Sequence, residues 1–234
     1  PFELVAFADE ESTMVGCKGM AGSASADPAA YATSNCEPIA LNLERIGGHW
    51  PSLASARRPD AAVAAFLELH VEQGAVLEQR GDTIGVVEGI VGQRRFSIRV
   101  DGQANHAGTT PMALRQDALA AASRVVLAVE RLARDHPGDP VATVGRLEVW
   151  PNAANVVPGS VALTVDLRDV SSAVLDQLVA ELMQQLERIG VETGCPIQLE
   201  PQFEVAPTAA AGGVMAAIAS AAKDLGLSFS QLPS

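Results

Sequence analysis

The 234-residue sequence has few cysteines, few aromatic residues and no block of basic residues. Its three cysteines, Cys17, Cys36 and Cys195, have no paired spacing, which indicates reduced thiols in a cytoplasmic protein rather than a disulfide frame or a CxxC zinc site. With 16 basic and 28 acidic residues the net charge is −12, so a nucleic acid or an anionic membrane surface is an unfavourable partner. A small molecule or a metal cation fits this charge better.

The sequence also has no long apolar segment and no signal peptide. Its longest run of small apolar residues, 209–222, contains two glycines and is too short to span a bilayer. Because the sequence opens at Pro1 without Met, we expect it to start inside a longer chain. The hydrophobic content of 48% excludes intrinsic disorder and indicates a soluble, acidic, globular protein.

The N-terminal part has the pattern of an α/β domain. The apolar run from Phe2 to Ala8 predicts a buried parallel strand that ends at the acidic residues 9–11. Apolar spacing then predicts a helix over Asp60 to Leu69, which leads into residues 70–74, and a strand over Thr83 to Val91.

Residues 93–207 predict a separate module. The β-α-β-β-α-β order of its elements predicts a four-stranded antiparallel sheet with two helices on one face. We therefore expect a partial α/β domain over 1–92, an inserted module over 93–207, and a return to the first domain over 208–234. The expected elements are a strand around Phe96 to Val100, a helix with Thr110 as N-cap and Pro111 as first residue that runs to about Arg134, strands over Val141 to Val149 and Val161 to Leu167, a helix from Ser171, and a strand over Ile197 to Val205.

Two segments of the first part carry metal-binding residue types. Asp9, Glu10 and Glu11 are three adjacent acids, and His70 follows an apolar helical pattern. A carboxylate and an imidazole from separate segments suit zinc, manganese or a similar divalent ion. Taken alone, each segment has an ordinary structural alternative: a solvated turn for the acids and a half-buried histidine at a helix end for His70.

The inserted module carries three further candidates. His106 lies among small residues, which let a ligand approach its imidazole. The same ligand could also contact the free N–H groups in the first turn of the predicted helix. Asn155 lies in the segment 152–159, which alternatively is a hairpin turn. Arg168 suits a substrate carboxylate, or alternatively an ion pair with Asp166 or Asp169.

Six motifs together resemble one branch of the metal-dependent amidohydrolases. FADEE, LELHVEQG, GQRRF, NHAGTTPM, NVVPG and DLR occur in the order and approximate spacing of the allantoate amidohydrolases and N-carbamoyl-L-amino acid hydrolases. These enzymes are related to dinuclear-metal aminoacylases and M20 metallopeptidases. The resemblance covers nearly the whole sequence and implies a partial metallopeptidase-like catalytic domain with an inserted lid and dimerisation domain.

The resemblance also implies roles for single residues. Glu10 is similar to the general base that activates water, while Glu11 and His70 match metal ligands. Gln73 is similar to a residue near the substrate. His106, Asn155 and Arg168 match substrate-binding residues, with His106 polarising the scissile carbonyl and Arg168 holding the substrate carboxylate. In the family some of these groups reach the active site of the partner subunit, which implies a homodimer.

The resemblance implies two divalent metal ions (zinc or manganese, with cobalt or nickel as alternatives), but these residues supply only two clear ligands. The family's other ligands lie in segments that this sequence does not contain, and His49 and His136 are in the wrong contexts to replace them. The leading hypothesis is a hydrolase of linear ureido or amide C–N bonds, with the motif wording closest to allantoate amidohydrolase. The alternatives are an N-carbamoyl-L-amino acid hydrolase or β-ureidopropionase-like enzyme, an N-acyl amino acid hydrolase, and a non-catalytic dimerising fragment.

Overall fold

The computed structural model describes residues 3–33 and 35–234 of the chain. The chain divides into two compact units, Pro1–His70 and Val71–Ser234. None of the helices in the described residues is both long enough and apolar enough to cross a bilayer.

The first unit is built from short helical segments. α1 comprises Val15–Ala21 and α2 comprises Ile39–Arg45. Three 3-10 turns accompany them: Pro28–Ala30, Trp50–Ala56 and Asp60–Ala62. A Cβ added to Gly19 in α1 would lie 2.9 Å from Leu53 Cδ1, so α1 and the second 3-10 turn approach each other closely at this glycine.

The strand predicted over Phe2 to Ala8 is wrong for the residues that the structure describes. Phe2 lies outside them, and residues 3–7 form no strand, with Leu4 99% exposed. A buried strand needs a neighbouring strand that pairs with its backbone N–H and C=O groups. Residues 3–33 and 35–70 contain no strand that provides these partners.

The helix predicted over Asp60 to Leu69 is also wrong. The chain makes one 3-10 turn there, Asp60–Ala62, and continues to His70 without further helix. Phe66 and Leu67, whose spacing suggested the helix, are 56% and 61% exposed. An amphipathic helix of ten residues is marginal in water and needs its apolar face buried to persist. That burial is not achieved here, so the local pattern does not produce a helix.

The second unit contains most of the regular structure. Its helices and strands, in chain order, are α3 (Val76–Arg80), β1 (Ile84–Val87), β2 (Gly89–Ile90), β3 (Gly92–Asp101), β4 (Asn105–His106), α4 (Ala118–Arg134), β5 (Val141–Trp150), β6 (Val156–Val157), β7 (Ser160–Asp169), α5 (Ser172–Thr193), β8 (Ile197–Val205), β9 (Thr208–Ala209), α6 (Gly212–Asp224) and β10 (Phe229–Leu232). The strand predicted over Thr83 to Val91 is thus divided into β1 and β2 at Glu88.

The predicted four-stranded antiparallel sheet is confirmed, with the strand order β5-β7-β3-β8. Alternation brings apolar side chains of neighbouring strands opposite each other on one face, for example Phe96 with Val165 and Ile98 with Leu163. α4 and α5 pack on this face, and the resulting core continues into both helices. We call the opposite face of the sheet, which carries the alternate polar residues, the outer face.

The start of α4 differs from the prediction. Thr110 and Pro111 precede a separate 3-10 turn, Met112–Leu114, and α4 begins at Ala118. Its N-cap is Asp117, whose carboxylate accepts hydrogen bonds from the N–H groups of Leu119 and Ala120, each at 3.0 Å. Asp117 thus pairs two N–H groups that would otherwise lack a hydrogen-bond partner. Thr110 is not an N-cap of α4, because the 3-10 turn that follows it ends before the helix begins.

Three pairs of short strands complete the second unit. β1 pairs with β10 in parallel, and β2 pairs with β9 antiparallel. The segments that precede and follow the four-stranded sheet in the sequence are therefore hydrogen-bonded to each other. β4 pairs antiparallel with β6, with Asn105 opposite Val157 and His106 opposite Val156. This last pair brings together two segments that the sequence singled out for their chemistry.

Candidate functional site

His106 and Asn155 lie next to each other at one end of the sheet. The β4–β6 pairing places their segments side by side, and the Ala107 N–H donates to the Asn155 carbonyl at 2.9 Å. Both side chains are exposed, and within the described residues the Asn155 side-chain amide has no hydrogen-bond partner. An exposed imidazole and a neighbouring amide together offer hydrogen-bond donors and acceptors that can bind a polar ligand.

The hydrogen bonds around His106 define its neutral tautomer. Nδ1 accepts from the Gly108 N–H at 3.1 Å, so Nε2 carries the proton when the ring is neutral and can donate to a ligand oxygen. A Cβ added to Gly108 would lie 3.1 Å from His106 Cε1, so the loop backbone lies close to the imidazole here. Thr110 closes the turn, because its N–H and hydroxyl both donate to the His106 carbonyl.

Arg115 supports the same loop from beneath. Its guanidinium donates to the carbonyls of Ala107 at 2.6 Å and Thr110 at 3.0 Å. The helix N-terminus that the sequence suggested as a ligand site here is not available, since α4 begins only at Ala118 and is capped by Asp117. The His106 loop is therefore held by backbone and side-chain hydrogen bonds and not by a helix.

Arg168 lies on the outer face near the other end of β7. Its Nε donates to Asp166 Oδ1 at 2.9 Å, which is one of the two ion pairs that the sequence left open. Ser160 and Arg168 are eight residues apart along β7, about 27 Å at the usual rise of a strand. One protomer thus brings His106 and Asn155 together but holds Arg168 at the far end of the sheet.

Asp166 is the most heavily hydrogen-bonded side chain of this group. Its Oδ2 accepts from Gln93 Nε2 and from Arg95 Nε and Nη2, the latter two at 3.1 and 2.9 Å. Burial raises the pKa of Asp166, but the hydrogen bonds from Arg168, Arg95 and Gln93 together outweigh it and hold the pKa below its ordinary value. Asp166 is therefore ionised at neutral pH and anchors both arginines.

Gln93 and Arg95 belong to the GQRRF motif, which by itself indicated no function for either residue. The alternation that places Phe96 in the core also places Gln93 and Arg95 on the outer face, opposite Arg168 and Asp166. Arg94, between them, points to the helix side and pairs with Asp176 at 2.6 Å and with Glu204 at 3.2 Å. Strand periodicity indicated that Gln93 and Arg95 share one face of β3, but the pairing of β3 with β7 was not predicted.

The acidic segment of the first unit forms a tight turn. Asp9 has φ 53° and its Oδ2 accepts from the Thr13 N–H at 3.1 Å and from the Thr13 hydroxyl. Glu10 and Glu11 are exposed, and their carboxylates have no hydrogen-bond or ion-pair partner within the described residues. Asp9 thus stabilises the turn, while the two glutamates that the sequence singled out remain available for chemistry.

His70 and Gln73 lie in non-helical chain. His70 is exposed and does not follow a helix, in contrast to the prediction. Gln73 is exposed with φ 57°, and the neighbouring Glu72 accepts from the N–H groups of Val76 and Leu77 at the start of α3. The left-handed backbone at Gln73 therefore belongs to the turn that leads into this short helix.

Within residues 3–33 and 35–234, no group of three or more His, Cys, Asp or Glu side chains is arranged to hold a metal ion. Glu11 and His70 have suitable donor atoms, but they do not complete a metal site with other described residues. A tetrahedral site needs at least three protein ligands, so no catalytic step through a metal follows from these residues alone.

Comparison with known proteins gives a consistent result. Residues 89–194 match the peptidase dimerisation domain family. The chain is 38% identical to an N-carbamoyl-L-amino acid amidohydrolase from Geobacillus stearothermophilus over 100% of this chain and 58% of the relative. It is 37% identical to an allantoate amidohydrolase from Escherichia coli K12 over 88% of this chain and 51% of the relative.

A solved structure shares the fold as well. An amidase of the hydantoinase/carbamoylase family from Burkholderia phymatum superimposes with a TM-score of 0.88 at 30% identity, over 98% of this chain and 58% of that chain. The chain thus spans a little more than half the length of each of these three proteins. Residues 89–194 thus belong to the peptidase dimerisation domain family, and the chain as a whole is similar to N-carbamoyl-L-amino acid and allantoate amidohydrolases.

Proposed function

We propose that the protein containing this chain is a metal-dependent hydrolase that cleaves a linear ureido or amide C–N bond. The observation that carries the proposal is the His106 loop, in which Gly108 occupies Nδ1 and leaves Nε2–H to donate to a carbonyl oxygen. A ureido carbonyl is a weak electrophile, and a donor aimed at its oxygen stabilises the charge that develops there. Asn155, beside this loop, offers a second polar contact to the same substrate.

We propose allantoate as the substrate, on the wording of the GQRRF and NVVPG motifs. An N-carbamoyl-L-amino acid is the second candidate, because a relative of that name is similar over the whole chain. Both molecules combine a ureido group with a carboxylate. Arg168 is the proposed partner of the carboxylate, since a guanidinium binds carboxylates in a fixed geometry.

The first unit is proposed to supply the proton transfer and part of the metal site. The Glu10 carboxylate takes a proton from the attacking water and passes it to the leaving nitrogen. Gln73, which belongs to the second unit, is proposed to lie near the substrate. Glu11 and His70 are two of the ligands of divalent metal ions, with zinc or manganese proposed and cobalt or nickel as alternatives. Bound divalent ions would polarise the carbonyl and lower the pKa of a water molecule, and they would need ligands beyond those that the described residues supply.

We further propose a homodimer formed through the sheet module, in a cytoplasmic protein without nucleic-acid or membrane partners. β5 is an edge strand of the sheet, and exposed apolar side chains lie on it and on the adjacent α4, namely Leu147, Trp150 and Leu127. An exposed edge with apolar side chains is a common interface between subunits. The match to a dimerisation domain over residues 89–194 supports a dimer formed by this module.

Ammonia release from allantoate and from N-carbamoyl-L-amino acids by the full-length protein tests the proposed function. We expect turnover of one of the two and a loss of about a hundredfold or more in kcat for Glu10→Gln, the usual contribution of a general base. Metal content, measured by mass spectrometry of the purified protein, should stay the same in this variant.

Glu44→Gln is the matched control, because Glu44 is an exposed acid of the same unit. This variant should retain wild-type kcat. Turnover of neither substrate by the wild type would overturn the proposed reaction, and a fully active Glu10→Gln would overturn the role of the base alone.

A further inference from the structure

The guanidinium of Arg168 is held at one point only. Its Nε donates to Asp166 Oδ1 at 2.9 Å, and within the described residues its two terminal nitrogens donate to no other group. The Arg168 side chain is 46% exposed, whereas that of Asp166 is 18% exposed. The terminal edge of the guanidinium, which is the edge that binds a carboxylate through two hydrogen bonds, thus remains open to a ligand.

The acid that holds Arg168 is itself fixed from the neighbouring strand. Arg95 lies directly opposite Asp166 and Gln93 lies directly opposite Arg168 in the β3–β7 register. Both donate to Asp166 Oδ2, so the two carboxylate oxygens have separate partners: β3 holds one and Arg168 holds the other. A carboxylate restrained on Oδ2 cannot rotate without losing these bonds, and it therefore presents Oδ1 in one direction.

We propose that Asp166, fixed by Gln93 and Arg95, is a positioning residue that orients Arg168 for the substrate carboxylate. The inference rests on the proposed function in one respect, the assignment of the carboxylate to Arg168. Orientation matters because a freely rotating guanidinium loses side-chain entropy when it binds, whereas one already held loses less. The GQRRF motif then has a function: Gln93 and Arg95 act through Asp166, and Arg94 and Phe96 serve the opposite face.

The test compares Asp166→Asn with wild type on a carboxylate substrate and on its neutral carboxamide analogue, in the full-length protein. We expect the KM for the carboxylate substrate to rise about tenfold, while kcat stays within about twofold of the wild-type value. The reason is that only the binding of the carboxylate is weakened. For the carboxamide, kcat/KM should change by less than about twofold. A merely structural role for Asp166 would reduce activity on both substrates alike.

A double variant separates action through Arg168 from independent effects. If Asp166 acts through Arg168, then Asp166→Asn adds no further increase in KM when Arg168→Ala is already present. The matched control is Asp101→Asn at the other end of β3, where Arg99 Nε also donates to an aspartate Oδ1 two residues away at 2.9 Å. This control should leave the preference for carboxylate over carboxamide unchanged.

Each remaining outcome has a definite meaning. If Arg168→Ala loses the preference but Asp166→Asn keeps it, or if their effects simply add, the positioning role is overturned and the proposed function stands. If Arg168→Ala keeps the preference, the carboxylate assignment fails and the inference fails with it. If thermal unfolding shows that Asp166→Asn does not fold, Gln93→Leu gives the same readout, and an unchanged KM in that variant would overturn the proposal.

Discussion

The ionisation of Asp166 makes the stability of the fold depend on pH. Its pKa lies below the ordinary value of 3.8, because hydrogen bonds from Arg168, Arg95 and Gln93 outweigh the effect of burial. A carboxyl whose pKa is lower in the folded than in the unfolded chain stabilises the fold above its unfolded pKa. This stabilisation is lost as the pH falls through the folded value.

We therefore predict that wild type exceeds Asp166→Asn in free energy of unfolding at pH 5 and above, and that the difference shrinks as the pH falls below 3.8. Urea denaturation at a series of pH values measures both proteins. Subtracting the same profile for Asp139→Asn, an exposed aspartate, removes the general effect of one carboxylate fewer. A difference that grows towards acid pH would contradict the prediction.

The sequence was enough to predict which single residues are candidates for the site, but not which groups they contact. His106, Asn155 and Arg168 were singled out by their motifs, and the structure adds the Gly108 N–H that defines the tautomer of His106. The partner of Arg168 was narrowed to Asp166 or Asp169 because both are near in sequence. The bonds from Gln93 and Arg95 needed the β3–β7 register, which depends on residues more than 70 positions apart.

At the scale of helices and strands, the N-terminus of α4 rests on a single side chain. Asp117 accepts hydrogen bonds from two N–H groups of the first turn. We predict that Asp117→Ala lowers the free energy of unfolding by about 1 kcal/mol, the usual cost of losing such a cap, and that Asp117→Asn lowers it by less. Chemical denaturation of the two variants measures this, with Asp139→Ala as a control for an exposed aspartate that caps no helix. Equal stability of Asp117→Ala and wild type would show that water replaces the cap.

The helices and strands that were predicted correctly have a clear apolar periodicity and a neighbouring helix or strand against which the apolar side chains pack. β8 spans the predicted residues, and α5 begins next to the predicted Ser171, which is its N-cap. Both elements bury apolar side chains against the other helices and strands of residues 92–205. The strand over Phe2 to Ala8 and the helix over Asp60 to Leu69 were not found in the described residues. Residues 3–33 and 35–70 form no strand that could pair with residues 3–8, and Phe66 and Leu67 remain more than half exposed.

At the scale of the whole molecule, one protomer does not bring the candidate substrate-binding residues together. Arg168 lies about 27 Å from the end of β7 that adjoins His106 and Asn155, a distance greater than a small substrate spans. Two protomers related by a two-fold axis can combine such separate groups in each of two equivalent sites. This separation is the physical reason to test for shared sites in the proposed dimer.

Complementation between inactive protomers provides that test. If His106 acts in the partner's site, a heterodimer of Glu10→Gln and His106→Ala protomers contains one intact site of two, and we predict about half of wild-type kcat per dimer. The heterodimer is isolated by two different affinity tags and assayed for ammonia release. A heterodimer of Glu10→Gln and His70→Ala has no intact site and should remain inactive. No recovery in the first heterodimer would show that His106 acts within its own subunit.

The pairing of β2 with β9 has a consequence for how this part of the chain can be handled. Gly89 lies opposite Ala209, so the two ends of the segment that forms the sheet are neighbouring strand residues, about 5 Å apart. A segment with adjacent ends behaves as a cassette: it can be cut out and its ends closed by a tight turn without stretching either side. The same adjacency would let β1 and β10 keep their parallel pairing when a different module is grafted between them.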